Sequence, residues 1–137
     1  MEEVVHARGH ENVSAEHAST FEVTTDDYLT PAGDCILAID ADRAPSDFSR
    51  EFVDACRDES ATITAILETP DERVTITGSG HPDLAFENQR GHVGRTSTYV
   101  DDRTIMVDAD AAAADLPRDY VTSLADGAPL TMTLRVE

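Results

Sequence analysis

Thr62-Ile63-Thr64-Ala65-Ile66-Leu67-Glu68, then Thr69-Pro70-Asp71-Glu72, then Arg73-Val74-Thr75-Ile76-Thr77, is the stretch that decides the class of fold. Both flanks alternate apolar and polar side chains with a period of two, the pattern of strands with one face in a core and one in water. The four residues between them combine a fixed-φ proline with two acids, so the stretch reads as a β-hairpin. Working outward, Leu130, Met132, Leu134 and Val136 alternate with Thr131, Thr133 and Arg135 in a last strand, and Val4 to Gly9 predicts a first one. Ala15 to Thr25 also alternates, with His17, Ser19, Phe21 and Val23 on one face. Cys35 to Ile39 is apolar throughout, as a central buried strand is. Val93–Val100 and Thr104–Ala109, separated by Asp101-Asp102-Arg103, predict a second hairpin.

Two segments switch to helical spacing. Ser46 is placed to cap a helix over 47–59 that buries Phe48, Phe52, Val53, Ala55 and Cys56. A second, over 115–126, buries Tyr120, Val121 and Leu124 and stops at Gly127. The order βββαββββαβ predicts a mainly β fold with two helices (α+β), an antiparallel jelly-roll-like β-sandwich or partly closed barrel. One domain spanning 1–137 is expected, and no internal repeat is evident.

Composition describes the solvent. The 137 residues hold ten arginines, no lysine and 28 acids, for a net charge of −18. That surface suits concentrated salt, where the Debye length falls to about 3 Å and carboxylate repulsion is screened. It disfavours a basic-groove mode of DNA or RNA binding, while leaving RNA recognition by shape or stacking open. No apolar run reaches the roughly 20 residues of a membrane span. The N-terminal MEEVVHARGHENV is acidic where a signal peptide is basic, so a soluble cytoplasmic protein is expected. Cys35 and Cys56 fit a reducing compartment and are read as core residues.

Polar chemistry collects in three places. Gly9-His10, Glu16-His17, Gly80-His81 and Gly91-His92 are short phrases in which a histidine could be aimed into a cleft. His10, His17 and His81 are candidate ligands for a divalent metal such as zinc, although no spacing matches a zinc motif; the bland alternative makes them turn and core residues. Asp34, entering an apolar strand, is either a turn acid or a general base, and with the three histidines completes the candidate catalytic set. Arg95 and Arg103 are candidate anion-binding residues, against the alternative of internal salt bridges. Arg8 would face Glu16 if the first two strands paired with each other, and Arg118 has Asp115 and Asp119 close in sequence.

Ala7-Arg8-Gly9-His10-Glu11-Asn12-Val13, Glu16-His17, Thr20-Phe21-Glu22-Val23-Thr24, Leu29-Thr30-Pro31-Ala32-Gly33-Asp34-Cys35-Ile36, Gly78-Ser79-Gly80-His81-Pro82-Asp83-Leu84, Arg95-Thr96-Ser97 and Asp102-Arg103-Thr104 together resemble the archaeal domain-of-unknown-function family 371. The resemblance implies an archaeal origin and a β-rich, jelly-roll-like domain; with the missing lysines it implies a haloarchaeon. Members of the family tend to have Arg-Lys-Ser where this chain has Arg95-Thr96-Ser97, so a mechanism that needs a lysine amine is disfavoured. Two functions remain. One is a non-catalytic interaction module that binds a protein or RNA partner through a sheet face; the other is a small metal-binding enzyme, of hydrolase or lyase type, built on the His/Asp cluster and the arginines.

Overall fold

The computed structural model describes all 137 residues. Eight strands, β1 (Glu2–Arg8), β2 (Thr20–Thr24), β3 (Ile36–Ala38), β4 (Thr62–Glu68), β5 (Arg73–Ser79), β6 (Gly91–Arg95), β7 (Thr104–Met106) and β8 (Pro129–Val136), accompany two helices, α1 (Arg50–Cys56) and α2 (Arg118–Ala125). The strands form two four-stranded sheets, ordered β1-β8-β4-β5 and β3-β2-β6-β7. Inward side chains of both, among them Val5, Phe21, Val23, Ile63, Leu67, Ile76, Ile105 and Met132, make one continuous core. Each helix carries the chain from the second sheet to the first, burying Phe52 and Cys56 from α1 and Tyr120, Val121 and Leu124 from α2. No helix is long and apolar enough to cross a membrane.

The 62–77 hairpin and the last strand form as their alternation dictates, with Ala65 opposite Ile76 and Leu134. Other expectations need correction. β1 pairs with β8 and not with β2, so Arg8 bonds Asp40 instead of facing Glu16. β2 begins only at Thr20, because residues 9–19 are held as a loop by bonds to distant carbonyls such as that of Asp34. β3 is an edge strand of its sheet, although Leu37 and Ala38 are fully buried, since the core covers its face and beyond it the chain meets only Arg8 of β1, which bridges Ile39. β6 and β7 run parallel, as do β2 and β3, so the second expected hairpin is a crossover and the all-antiparallel, jelly-roll-like pattern is absent from this sheet. Ser49, not Ser46, caps the first helix, its hydroxyl accepting the Phe52 amide at 3.2 Å, and a 3-10 turn over Pro45–Asp47 precedes it.

The largest correction is that the chain is built twice. β1-β2-β3-α1-β4 and β5-β6-β7-α2-β8 repeat the same path, and each sheet is symmetric about an axis between its two central strands. The repeat extends to single residues. Left-handed backbone occurs at Ala15 and Phe86, φ 48° and 53°, and at Asp40 and Asp108, φ 56° and 50°. Arg8 bridges Ile39 as Ser79 bridges Val107. Asp47 accepts the Ala44 amide at 2.8 Å, and Asp115 the Ala112 amide at 2.8 Å. The halves interlock: a Cβ on Gly9 would lie 1.8 Å from the Leu124 oxygen at the end of α2, and one on Gly80 would lie 2.3 Å from the Cys56 oxygen at the end of α1. Each half therefore needs a glycine where the other half's helix ends.

Candidate functional site on the outer face of the second sheet

The three candidate histidines share a local role. Nδ1 of His10 accepts the Asn12 amide and Nδ1 of His81 the Asp83 amide, both at 3.0 Å. Nδ1 of His17 accepts the amides of Ser19 and Thr20 at 3.3 and 3.2 Å. A neutral ring that accepts at Nδ1 carries its proton on Nε2 and serves its turn as an asparagine would. Asn88, the symmetry mate of His17, does the same, its Oδ1 accepting the amides of Arg90 and Gly91 at 2.8 and 2.7 Å. Asp34 acts through its carbonyl, which accepts the amides of Glu16 and His17.

His10 and His81 sit against the ends of different helices. Gly9 is bonded to Ala128, just before β8, and Gly80 to Ala61, just before β4. Antiparallel pairing puts those strand starts at opposite ends of the first sheet, about 20 Å apart. No group of three or more His, Cys, Asp or Glu side chains is arranged to hold a metal ion, so the His10/His17/His81 centre considered from the sequence does not assemble.

The duplication makes the chain its own comparison. Features present in both halves, such as Gly9/Gly80, His10/His81 and Asp47/Asp115, belong to the shared framework. Outward positions of the second sheet break the symmetry instead. Glu22 of β2 lies directly opposite its mate Val93 of β6. Cys35, whose carbonyl accepts the Glu22 amide, corresponds to Arg103, whose carbonyl accepts the Val93 amide. Thr24 corresponds to Arg95. One half thus supplies a carboxyl and a thiol, and the other two guanidiniums, to a single face.

The Cys35 thiol donates to Glu22 Oε1 at 3.5 Å, which is the carboxyl's one hydrogen bond. Burial lifts the Glu22 pKa above the ordinary carboxyl range, against the pull of the Arg103 charge. The same burial, with Glu22 nearby, pushes the Cys35 thiol up to about 11. Cys35 is therefore half-buried and unreactive at neutral pH, not a core residue, whereas Cys56 is fully buried as expected. Glu22 lies over Gly91 of β6: a Cβ there would stand 2.6 Å from Oε2, so a side chain at 91 would make the carboxyl move.

Across the face, Arg95 donates from Nε to Thr104 Oγ1 and from Nη2 to Asp101 Oδ2, both at 2.9 Å, with its side chain 11 % exposed. Arg103 donates from Nη2 to the same carboxylate oxygen at 3.2 Å and is 44 % exposed. Burial works against the Asp101 charge, but the Arg103 amide and the Arg95 charge outweigh it and hold its carboxyl low. Arg90 grips Asp26 with two bonds of 3.0 and 2.8 Å. Glu22, Thr24, Asp26, Asn88, Arg90, Gly91 and Arg103 line a cleft of about 130 Å³. Arg118, by contrast, holds the carbonyls of Ala15, Ala113 and Leu116, among others, and no aspartate.

Tyr28 and Tyr99, symmetry mates in the loops after β2 and β6, are 57 % and 61 % exposed; every other aromatic ring of Phe or Tyr is buried. The Arg95 guanidinium lies 4.9 Å from the Tyr99 ring centre, and Tyr28 lies beside Arg90. The structure thus brings Arg95 and Arg103 together, with Asp34 and His17 flanking Cys35 and Thr20. It adds Glu22, Tyr28 and Tyr99, which the sequence reading did not single out, and Cys35, which it read as core.

Residues 5–137 match the family described as Domain of unknown function (DUF371). The chain belongs to this family. An uncharacterised protein of Methanocaldococcus jannaschii is 42% identical over 136 residues, covering 99% of this chain and all of the relative. In this DUF371 protein the sequence phrases that carried the resemblance turn out to be chiefly the duplicated turns. Glu22 and the 103–104 pair lie in them too, and the symmetry is what separates site from framework.

Proposed function

We propose that the protein is a non-catalytic interaction module whose partner, a protein or an RNA, docks on the outer face of the second sheet around Glu22, Arg95 and Arg103. One observation carries the reading: the only two solvent-exposed rings of Phe or Tyr flank that face, each beside an arginine. Tyrosine and arginine dominate the energetics of binding surfaces because they combine large contact area with directional polar groups. The outer face of the first sheet offers threonines, with Glu2–Arg135 and Glu68–Arg73 already paired. The −18 charge and absent lysines support a place in the cytoplasm of a salt-adapted archaeon.

The test is partner capture from an archaeal extract, with and without ribonuclease. The wild type should retain a partner that Tyr28→Ala/Tyr99→Ala loses and Thr64→Glu, on the first sheet, keeps. Equal recovery by all three proteins refutes the docking face. A second reading has one observation in its favour. The Glu22 carboxyl, bonded only to a thiol in a cleft it shares with Arg103, suits a hydrolase or lyase in which Glu22 moves a proton and Arg103 holds an anionic substrate.

A further inference from the structure

We propose that the cleft between Glu22 and Arg103 receives a nucleobase, through an edge that sets an N–H donor beside an acceptor, presented by single-stranded RNA. The inference rests on the docking face above and names the partner class.

Glu22 is a polar group left incomplete. The other acid sunk in the fold, Glu3, accepts the Ser49 amide at 2.6 Å and pairs with Arg43 at 2.8 Å. Glu22 has a thiol at 3.5 Å and no ion pair within 4 Å. Arg103 spends one nitrogen, Nη2, on Asp101 and leaves the donors of Nε and Nη1 without a protein acceptor. Carboxyl and guanidinium line the same cleft without touching, so a group between them must donate to the first and accept from the second. A nucleobase edge does both with adjacent atoms, whether the lactam of uracil and guanine or the amino group and ring nitrogen of adenine and cytosine. A trans peptide group does not, because its N–H and C=O point to opposite sides.

The remaining features select a planar ligand of low charge. Tyr28 at the Arg90 side of the cleft and Tyr99, whose ring is backed by the Arg95 guanidinium, are platforms on which neighbouring bases stack. A cleft of about 130 Å³ admits a single base and not a duplex. At −18 the chain gains little from phosphate contacts, and an edge-and-stack mode does not depend on them.

The test is amide NMR of the whole protein in fixed high potassium chloride, titrated with UMP, GMP, AMP, CMP and acetamide, followed by anisotropy of labelled U8 and A8. All four nucleotides should move the amides of Glu22, Gly91 and Arg103. Glu22→Val, the residue of its symmetry mate Val93, should weaken their binding by about 5- to 150-fold, the range for one bidentate base contact, with the fold intact. Tyr28→Ala or Tyr99→Ala should weaken U8 by about 5- to 150-fold, the worth of one stacked base. No response to any nucleotide, a response that Glu22→Val leaves unchanged, or acetamide acting as strongly as UMP overturns the proposal; the last points to a side-chain amide of a partner protein. If no nucleotide binds while Tyr28→Ala/Tyr99→Ala still loses its captured partner, the base site falls and the docking face stands. If that variant also loses nothing, both fall.

Discussion

His92 should make folding stability depend on pH, in a way that one substitution removes. Its ring is fully buried on the inner side of β6, 5.4 Å from Phe48 between ring centres. Nε2 lies 2.8 Å from the Arg43 oxygen, to which it donates, and Nδ1 has no partner. Protonation would put a new N–H against no acceptor and a charge in the core, and burial accordingly pulls the pKa down to about 4. The unfolded chain titrates near 6.5, so between the two values it binds the proton that the fold refuses. His92 thus favours folding fully above about pH 6.5, and that contribution is lost as pH falls through about 4. The displacement corresponds to about 3 kcal/mol. Acid also relieves repulsion among the 28 acids, which acts in the opposite direction, so the measurement has to be a difference. His92→Phe places there the ring of its symmetry mate Phe21. It removes the bond to Arg43, an offset of about 1 kcal/mol that does not vary with pH. Urea unfolding of both proteins in molar potassium chloride, from about pH 7.5 to about pH 4, should show the stability of wild type relative to variant falling by about 3 kcal/mol. A difference that stays constant to within about 0.5 kcal/mol would refute the buried, neutral histidine.

Other outcomes follow from the same geometry. Gly9→Ala and Gly80→Ala should each destabilise the fold by more than about 3 kcal/mol in thermal melts, because the added Cβ meets helix-end backbone in both cases; a mild effect at either would contradict the interlocking of the halves. His17→Asn should melt close to wild type, since Asn88 already fills the equivalent role, while His17→Ala should cost about 1 kcal/mol. If the two variants behave alike, the turn bond is not what His17 supplies. Melting temperature should climb from dilute to molar potassium chloride as the net charge of −18 is screened. A flat profile would separate the acidic composition from any need for salt.

What the sequence determined by itself was local. Alternation in 62–77 and 130–136, the helical spacing of Phe52 with Cys56 and of Tyr120 with Leu124, and glycine at 127, φ 88°, all follow from periods and turn chemistry a few residues long. The family was legible for the same reason, since its phrases lie in turns whose backbone demands specific residues. The repeat was there to read in Gly9-His10/Gly80-His81, Asp40-Ala41-Asp42/Asp108-Ala109-Asp110 and Arg50-Glu51-Phe52-Val53/Arg118-Asp119-Tyr120-Val121, but it is spaced unevenly and the intervening strands share little beyond polarity. Beyond the 62–77 hairpin, pairing partners were decided by tertiary structure alone. That β1 joins β8, and that β6 and β7 run parallel, depends on how two interlocked halves close one core, an energy summed over contacts far apart in the chain. The site has the same origin: Glu22 and Cys35 come from one half and Arg95 and Arg103 from the other, and only the axis between β2 and β6 sets them on one face.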